Sequence, residues 1–337
     1  MRILLTGAGG PAGIGVARSL ELAGHKLTGV DSNRYALPFA RTHSKHLVPR
    51  CDHLSYLDAI RRIVEEESID FIHAQPDPEV RVISQYRGVL GARVFLPDHE
   101  TVLLCQDKLA MNRRLLGTGV PIPKTIPLGS PMDIDGAVAL FGEQFWTRAR
   151  TGAAGRGSWL SSTEHIEQTV AWVDSQHGWG SFIASEYLPG RLVTWQSVWR
   201  DGQIVCAQSR ERLEWAMANR APSGVTGVTG VARTISRSDV AEVGERCVRA
   251  LEERPNGIFG VDMKEDAKGV PRVTEVNIGR FFTTIEFFTQ LGLNMPDLYV
   301  RAAFWEKTEW QPCEDDWYWL RSMDAEPRLV PGSDFPK

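Results

Sequence analysis

The sequence predicts an α/β unit followed by an α+β unit. Over the first hundred residues, short apolar runs alternate with helix-length stretches, the pattern of a parallel sheet with right-handed crossovers. A Gly-rich turn joins the first run to the first helix, and beyond position 145 the longer runs are β-like and close on a hairpin. At 337 residues, and roughly 150 residues per domain, the chain holds two or three units. A hydrophobic share of 42% and a charged share of 24% allow a real core and exclude global disorder. The net charge of −4 lacks the basic excess of a nucleic-acid or membrane-surface binder, so neither partner is expected. No apolar run approaches the roughly 20 residues of a membrane span, and Met1 to Thr6 lead straight into glycines without a leader-like block. The five cysteines, at 51, 105, 206, 247 and 313, form no CxxC pair. This excludes a disulfide framework or a cysteine zinc site and fits a reducing, cytoplasmic setting.

In chain order, Arg2–Thr6 reads as a strand, Ala12–Ala23 as a helix and Leu27–Val30 as a second strand. His53–Glu67 is a helix charged on one side, Ile69–His73 a third strand and Val94–Pro97 a fourth. Asp98–Gly117 forms one or two helices, which Val120-Pro121-Ile122-Pro123-Lys124 ends. Residues 145–235 are strand-rich, with a Gly-rich stretch at 152–157, a helix near 163–177 and β runs at 181–188 and 192–209. A helix at 237–253 precedes a hairpin over 258–277 that turns at Glu-Asp-Ala-Lys-Gly. The last 60 residues read as helical before an aromatic run, Trp317-Tyr318-Trp319-Leu320.

Two patterns carry chemistry. Gly7, Gly9 and Ala12 fit G-x-G-x-x-G/A between a strand and a helix, and Asp31 ends the second strand. Backbone N–H groups at such a turn can meet a pyrophosphate while the acid takes a ribose hydroxyl, which would make this an NAD(P) site. A tight strand-to-helix crossover needs the same glycines with no ligand at all, and Pro11, Gly13 and Gly15 blur the fingerprint. The second pattern is the acidic hairpin. Glu275 and Asn277 share one strand face, and Asp262 can lie opposite them on the neighbouring strand. Two carboxylates and an amide oxygen suit a hard divalent ion, although an ordinary solvated hairpin carries acids too.

Four motifs in fixed order resemble the ATP-grasp superfamily, most of all the branch of the carbamoyl-phosphate synthase large chain and the pyrrolysine-biosynthesis ligase. They are Gln106-Asp107-Lys108-Leu109-Ala110 with Gly119 to Thr125, then Phe145 to Gly157, then Ser185-Glu186-Tyr187-Leu188-Pro189-Gly190, then Asp262 with Glu275-Val276-Asn277. The resemblance spans roughly residues 1–300. It implies a Rossmann-like domain at 1–98, linker helices and a small ATP-grasp lobe at 99–190, and a large lobe with a C-terminal tail at 191–337. It also implies ATP with Mg²⁺, or Mn²⁺ in its place, held by Asp262, Glu275 and Asn277. Lys108 and Arg148 would neutralise phosphates beneath a flap containing Gly152, Gly155, Arg156 and Gly157, with backbone groups of Glu186, Tyr187 and Leu188 meeting adenine. The implied reaction is ATP-dependent ligation of a carboxylate to an amine or thiol through an acyl phosphate. The expected partners are a small carboxylate and an amine, an amino acid foremost, and the family-level assembly is a homodimer.

The chain departs from the family pattern twice. Leu192 stands where many members carry a ribose-binding Glu, and in Asn277-Ile278-Gly279-Arg280 the arginine comes one residue late. Arg280 is then a candidate for holding the acceptor or the transferred phosphoryl group. The run Ser209 to Trp215 and the Gly/Ser/Thr loop 222–230 are candidates for shaping a substrate pocket. In the tail, Arg321 and Asp324 can pair in domain packing. The eight histidines form no HxxxH or triad motif, which disfavours a zinc protease or a triad hydrolase. His73, at a strand end, can face an acceptor or sit in the core. Phosphorylation of bicarbonate or carbamate, an NAD(P) oxidoreductase and a non-catalytic nucleotide sensor remain as alternatives.

Overall fold

A computed structural model describes residues 1–152, 157–176, 178–221, 223–322, 328–331 and 333. The first unit runs β1 (Arg2–Thr6), α1 (Pro11–Leu22), β2 (Lys26–Asp31), β3 (Ser44–Leu47), α2 (Tyr56–Glu66), β4 (Phe71–His73), α3 (Asp77–Gln85) and β5 (Arg93–Val94). Its five strands lie parallel in the order β3-β2-β1-β4-β5. The order reverses direction between β1 and β4, so a crevice opens at their carboxyl ends. Helices α4 (His99–Gln106) and α5 (Lys108–Leu115) lead out of it.

The small antiparallel sheet follows as β6 (Thr125–Leu128), α6 (Asp133–Phe141), β7 (Gln144–Ala149), β8 (Ser158–Ser162), α7 (Ile166–Ser175) and β9 (Phe182–Glu186), ordered β6-β9-β7-β8. Next come β10 (Leu192–Arg200), β11 (Gln203–Trp215), β12 (Thr229–Ile235), α8 (Ser238–Leu251), β13 (Gly257–Glu265) and β14 (Pro271–Ile278). The chain then forms α9 (Glu286–Gln290), α10 (Met295–Ala303), β15 (Trp317–Leu320) and β16 (Arg328–Pro331). The resulting antiparallel sheet of seven strands has the order β14-β13-β10-β11-β12-β15-β16. A parallel α/β sheet followed by two antiparallel sheets with helices is the fold class expected from the sequence. The aromatic run near the C-terminus is β15, an added strand on that sheet, because Trp319 needs a fully buried site.

Packing divides the molecule unequally. One apolar cluster joins Tyr56, Ile60 and Val80 of the parallel unit to Trp195 and Phe259 of the large sheet and to Val248 of α8. A second joins Val16 and Leu20 of α1 to Phe287, Tyr299 and Trp319. The small sheet has a core of its own around Phe145, Val173 and Phe182. The parallel and large sheets therefore share buried surface, while the small lobe is packed chiefly on itself.

Beneath the turn after β1, Glu79 of α3 is 5% exposed and its Oε2 has no partner. Burial pushes its carboxyl up to about 7, a bond from Thr6 opposes the rise, and the charge of Asp31 adds to it. Because the folded value lies above the ordinary 4.5, this group's contribution is complete below that pH and is lost as pH climbs through about 7. At about 1.4 kcal/mol per pKa unit, the rise from 4.5 to about 7 sets an upper limit of about 3.5 kcal/mol on the loss. Urea midpoints of the wild type should therefore fall between about pH 5 and 8, and Glu79→Gln should flatten that limb of the profile.

Candidate active site

A cavity of about 480 Å³ opens where the three sheets meet, within the size range of small-molecule sites. Its floor is the face of the large sheet that carries the even-numbered residues of β10, since strand side chains alternate. Cross-strand register arranges this floor in rows. Arg212, Leu192 and Lys264 form the first, and Arg210, Thr194, Asp262 and Glu275 the second. Gln208, Gln196, Gly260 and Asn277 form the third.

The second row holds the predicted carboxylates side by side. Thr194 Oγ1 donates to Asp262 Oδ1 at 2.5 Å, and Asn277 Nδ2 donates to Asp262 Oδ2 at 3.0 Å. Arg212 NH2 stands 3.7 Å from Asp262 Oδ1, and Lys108 Nζ stands 3.8 Å from Glu275 Oε2. Arg148 reaches down from β7 and donates from NH2 to the Thr274 carbonyl at 3.3 Å, while its Nε is buried without a partner. Burial lowers the pKa of Arg148, with the charge of Glu275 opposing that shift. Arg280 grips Asp77, the first residue of α3, and donates to Asn277 Oδ1. Burial works against the Arg280 charge, but Asp77 outweighs it, with help from Glu275 and Asp262, and the pKa ends raised. So Asp262, Glu275, Asn277, Lys108, Arg148 and Arg280 all converge on one cleft.

Helix α5 positions Lys108. Asp107 caps it, accepting from Leu109 N and Ala110 N at 3.0 and 3.1 Å. The same carboxylate takes Arg150 NH2 at 2.5 Å, and Lys108 N donates to Arg150 O at 2.9 Å. The end of β7 is thus tied to the first turn of α5, and Lys108 Nζ also donates to Gly152 O at 3.0 Å. Gly152 lines the cleft, whereas Gly157 packs against Ala149. Gly155 and Arg156 lie outside the described residues.

At the hinge, Glu186 and Leu188 line the cleft, and Tyr187 turns its ring beneath Lys264, 5.4 Å away. Lys124 N donates to the Glu186 carboxylate at 3.2 Å, and Glu186 N donates to Lys124 O at 2.9 Å, leaving the strand end rigidly placed.

The N-terminal glycine turn faces this cleft too, through Gly7, Gly10, Pro11, Ala12 and Gly13. Asp31, however, is spent on the chain itself. Its Oδ2 accepts from Gly9 N at 3.1 Å and its Oδ1 from Asn33 N at 2.8 Å, so the acid required by the dinucleotide reading is closed off. Packing accounts for the glycines. A Cβ on Gly9 would lie 2.1 Å from Ala36 O, and Gly7, at φ +57°, would meet Pro76 Cγ at 2.4 Å. His73 is a core residue: its Nε2 bonds Gln75 Oε1 at 2.9 Å, its ring stacks on Phe281, and burial lowers its pKa to about 4. Arg321 donates to Thr283 O at 2.8 Å, and Asp324 lies outside the described residues.

Thr194, Asp77 and the Asp107–Arg150 clasp are site residues that sequence reasoning did not single out. The alternating pattern of β10 held a signal for Thr194, but its register against β13 was not readable. Among the described residues, no group of three or more His, Cys, Asp or Glu is arranged to hold a metal. The candidate set is two carboxylates and one amide. Among the described residues, no helix is long and apolar enough to cross a membrane.

Solved structures share this architecture. N5-carboxyaminoimidazole synthetase from Staphylococcus aureus, complexed with ADP, aligns at TM-score 0.75 and 16% identity, over 95% of this chain and 81% of that one. A biotin carboxylase complex with an ATP analogue from Campylobacter jejuni aligns at 0.72 and 15%, over 94% and 74%. An L-amino acid ligase from Bacillus licheniformis aligns at 0.67 and 13%, over 94% and 78%. No protein-family model matches the chain, and neither does any curated protein sequence. The chain has the ATP-grasp fold.

The packing account of the glycine turn is open to test. Gly9→Ala should lower stability by about 1–3 kcal/mol through overpacking against a backbone carbonyl, read as a lower urea midpoint. Calorimetric titration with NAD⁺ or NADP⁺ should show no binding to wild type or variant.

Proposed function

We propose that this chain, built on the ATP-grasp fold, is an ATP-dependent ligase that joins a carboxylate to an amine through an acyl phosphate. The observation that carries the reading is the pairing of Asp262 with Glu275 across two strands, beneath Lys108 and Arg148 in the same cleft. Two neighbouring carboxylates repel one another unless cations offset them, and these two face a space lined by cations. The ADP and ATP-analogue complexes among the structural neighbours support a nucleotide in that space.

The donor set fits Mg²⁺, which binds few protein oxygens and takes the rest of its shell from water and phosphate. Asp262, Glu275 and Asn277 would hold it. Asn277 Oδ1 accepts from Arg280, and the second lone pair of an amide oxygen is the one it would offer to an ion. The chemistry such an ion would supply, held by these three residues, is to offset negative charge on the phosphates of a nucleotide. Mn²⁺ suits the same oxygens.

Lys108 and Arg148 are placed to offset charge on the γ-phosphoryl group as it passes to a substrate carboxylate oxygen. The backbone around Glu186 and Leu188 forms the slot for the base. The substrate amine then attacks the acyl carbon: a C–N bond forms, the C–O bond to phosphate breaks, and the amine sheds a proton. This chain's contribution is to hold the reactants in line and keep water from the acyl phosphate. Gly152, near the mouth, and Val225, Gly227 and Val228 from the loop before β12 line the cleft and supply its cover. No protein nucleophile is needed. The five cysteines are free, and burial raises the pKa of Cys105, Cys206, Cys247 and Cys313. The amino acid as amine donor, a homodimer and a cytoplasmic location belong to the same reading.

An ADP-release screen with Mg·ATP, across amino acids and small carboxylic acids singly and in pairs, tests it. Turnover should require a pair and should not be replaced by bicarbonate. Glu275→Gln should cut turnover by 10²-fold or more, on the order of a lost transition-state contact. Its melting temperature should fall by a few degrees, because Lys108 and the buried Arg148 lose the carboxylate that offsets them, so turnover is compared where circular dichroism shows the variant folded. Full turnover in Glu275→Gln, or ADP release stimulated by bicarbonate alone, would overturn the reading.

A further inference from the structure

Among the described residues, two cations on the cleft floor, Lys264 and Arg210, have no carboxylate within ion-pair distance, and of these only Arg210 is fully buried. Arg210 is 1% exposed and lines the cavity. Its NH1 donates to Thr229 Oγ1 at 3.1 Å and to Thr284 Oγ1 at 2.6 Å, and its guanidinium lies 4.1 Å from the centre of the Phe282 ring. These partners are neutral. Its Nε is buried and bonded to nothing. The neighbouring charges include two more cations, Arg212 and Arg321, with Asp262 as the opposing one. A buried guanidinium without a counter-ion is costly, and a planar fork of donors matches carboxylate or phosphate oxygens.

The other cleft cations are already engaged. Lys108 faces Glu275, Arg212 faces Asp262 and Arg280 holds Asp77. Lys264 lies over Tyr187 at the hinge, and Arg148 reaches in from the small lobe above Thr274. Arg210 stands in the same row as Asp262 but two strands away, about 10 Å at the usual strand spacing. Thr229 holds it on the β12 side, away from the carboxylate pair. Arg210 is in contact with Phe282 and Thr284, and Phe282, Thr283 and the glycine turn of the parallel unit line the same cavity. Gln196, diagonal to it on the same face, also has both amide atoms buried without partners.

Resting on the ligase reading and extending it, we infer that Arg210 anchors an anionic group, carboxylate or phosphate, carried by a substrate other than the nucleotide. That group is not the carboxylate to be phosphorylated, which must lie beside Glu275 and Lys108. The substrate seated here therefore carries its own negative charge, as an amino acid or a phosphate monoester does.

Sulfate is the probe. In protein saturated with Mg²⁺ and the non-hydrolysable analogue AMP-PNP, the phosphate subsite is filled, and isothermal titration should find one saturable sulfate site. Arg210→Gln should weaken it about tenfold or more, the effect of losing a charge-assisted hydrogen bond, while affinity for the nucleotide changes less than twofold. If Arg210→Gln does not fold by circular dichroism, Arg210→Lys serves instead, since it keeps the charge and loses the fork. Sulfate binding that is absent in the wild type, or equal in wild type and variant, overturns the assignment. Displacement of sulfate by free amino acids but not by their carboxamides identifies a carboxylate. Displacement by glycerol 3-phosphate identifies a phosphate, and displacement by neither overturns the substrate role. Failure of AMP-PNP to bind would instead remove the ligase reading, and sulfate titration of the nucleotide-free protein would still decide Arg210.

Discussion

The structure turns on the cost of placing two carboxylates next to each other on a half-buried sheet face. Asp262 and Glu275 sit in register on adjacent strands, an arrangement that repulsion and desolvation both oppose. The chain answers from every side. Thr194 and Asn277 donate to Asp262, Arg212 flanks it, and Lys108 and Arg148 approach Glu275 from α5 and β7. Arg280 links the same cluster to Asp77 in the parallel unit. Asp77, Lys108, Arg148, Thr194, Arg212, Asp262 and the run from Glu275 to Arg280 come from separate stretches of sequence, so the cluster exists only once all three sheets have assembled. Relieving the repulsion and assembling the domains are therefore one event.

This explains which parts of the site were legible in the sequence. Asp262, Glu275 and Asn277 were readable because a hairpin is local and alternation alone assigns their face. Lys108 and Arg148 were readable only through the order of the motifs, since no local rule brings an α5 residue to a β13–β14 hairpin. For Thr194 alternation gives the face but not the partner. Its role follows from β10 lying beside β13, a pairing of strands 68 residues apart at Thr194 and Asp262. The N-terminal fingerprint shows the opposite failure. Its spacing fitted a dinucleotide turn, but the contacts of Gly9 with Ala36 and of Gly7 with Pro76 are made by residues outside the motif. Asp31, the acid assigned to ribose, bonds two backbone amides instead. Strands such as β3 and β6 escaped notice because Ser44–Leu47 and Thr125–Leu128 are short edge segments with little apolar pattern.

The unequal division of the core bears on how the cleft works. The parallel unit and the large sheet are joined through two shared apolar clusters, which tie the cleft floor to the unit that carries the glycine turn. The small lobe keeps a separate core, and Trp159, Trp172 and Phe182 pack within it. Its ties to the floor are polar: Arg148 to Thr274 O, and Lys108 to Gly152 O beside Glu275. Polar contacts exchange for other polar contacts at small cost, whereas apolar clusters do not. The roof can therefore shift over a nucleotide without unpacking either core.

Leu192 is best understood from the row it occupies. It lies between Arg212 and Lys264, and Arg212 is stacked over Trp215 at 3.8 Å while donating to Thr229 and facing Asp262. An acid at position 192 would sit between two cations and draw Arg212 from Asp262, loosening the carboxylate pair. An apolar residue leaves Arg212 committed to that pair and keeps the first row uncharged at its centre. Leu192 is thus coupled to the second row: a carboxylate is absent here where a cation is needed one row further in.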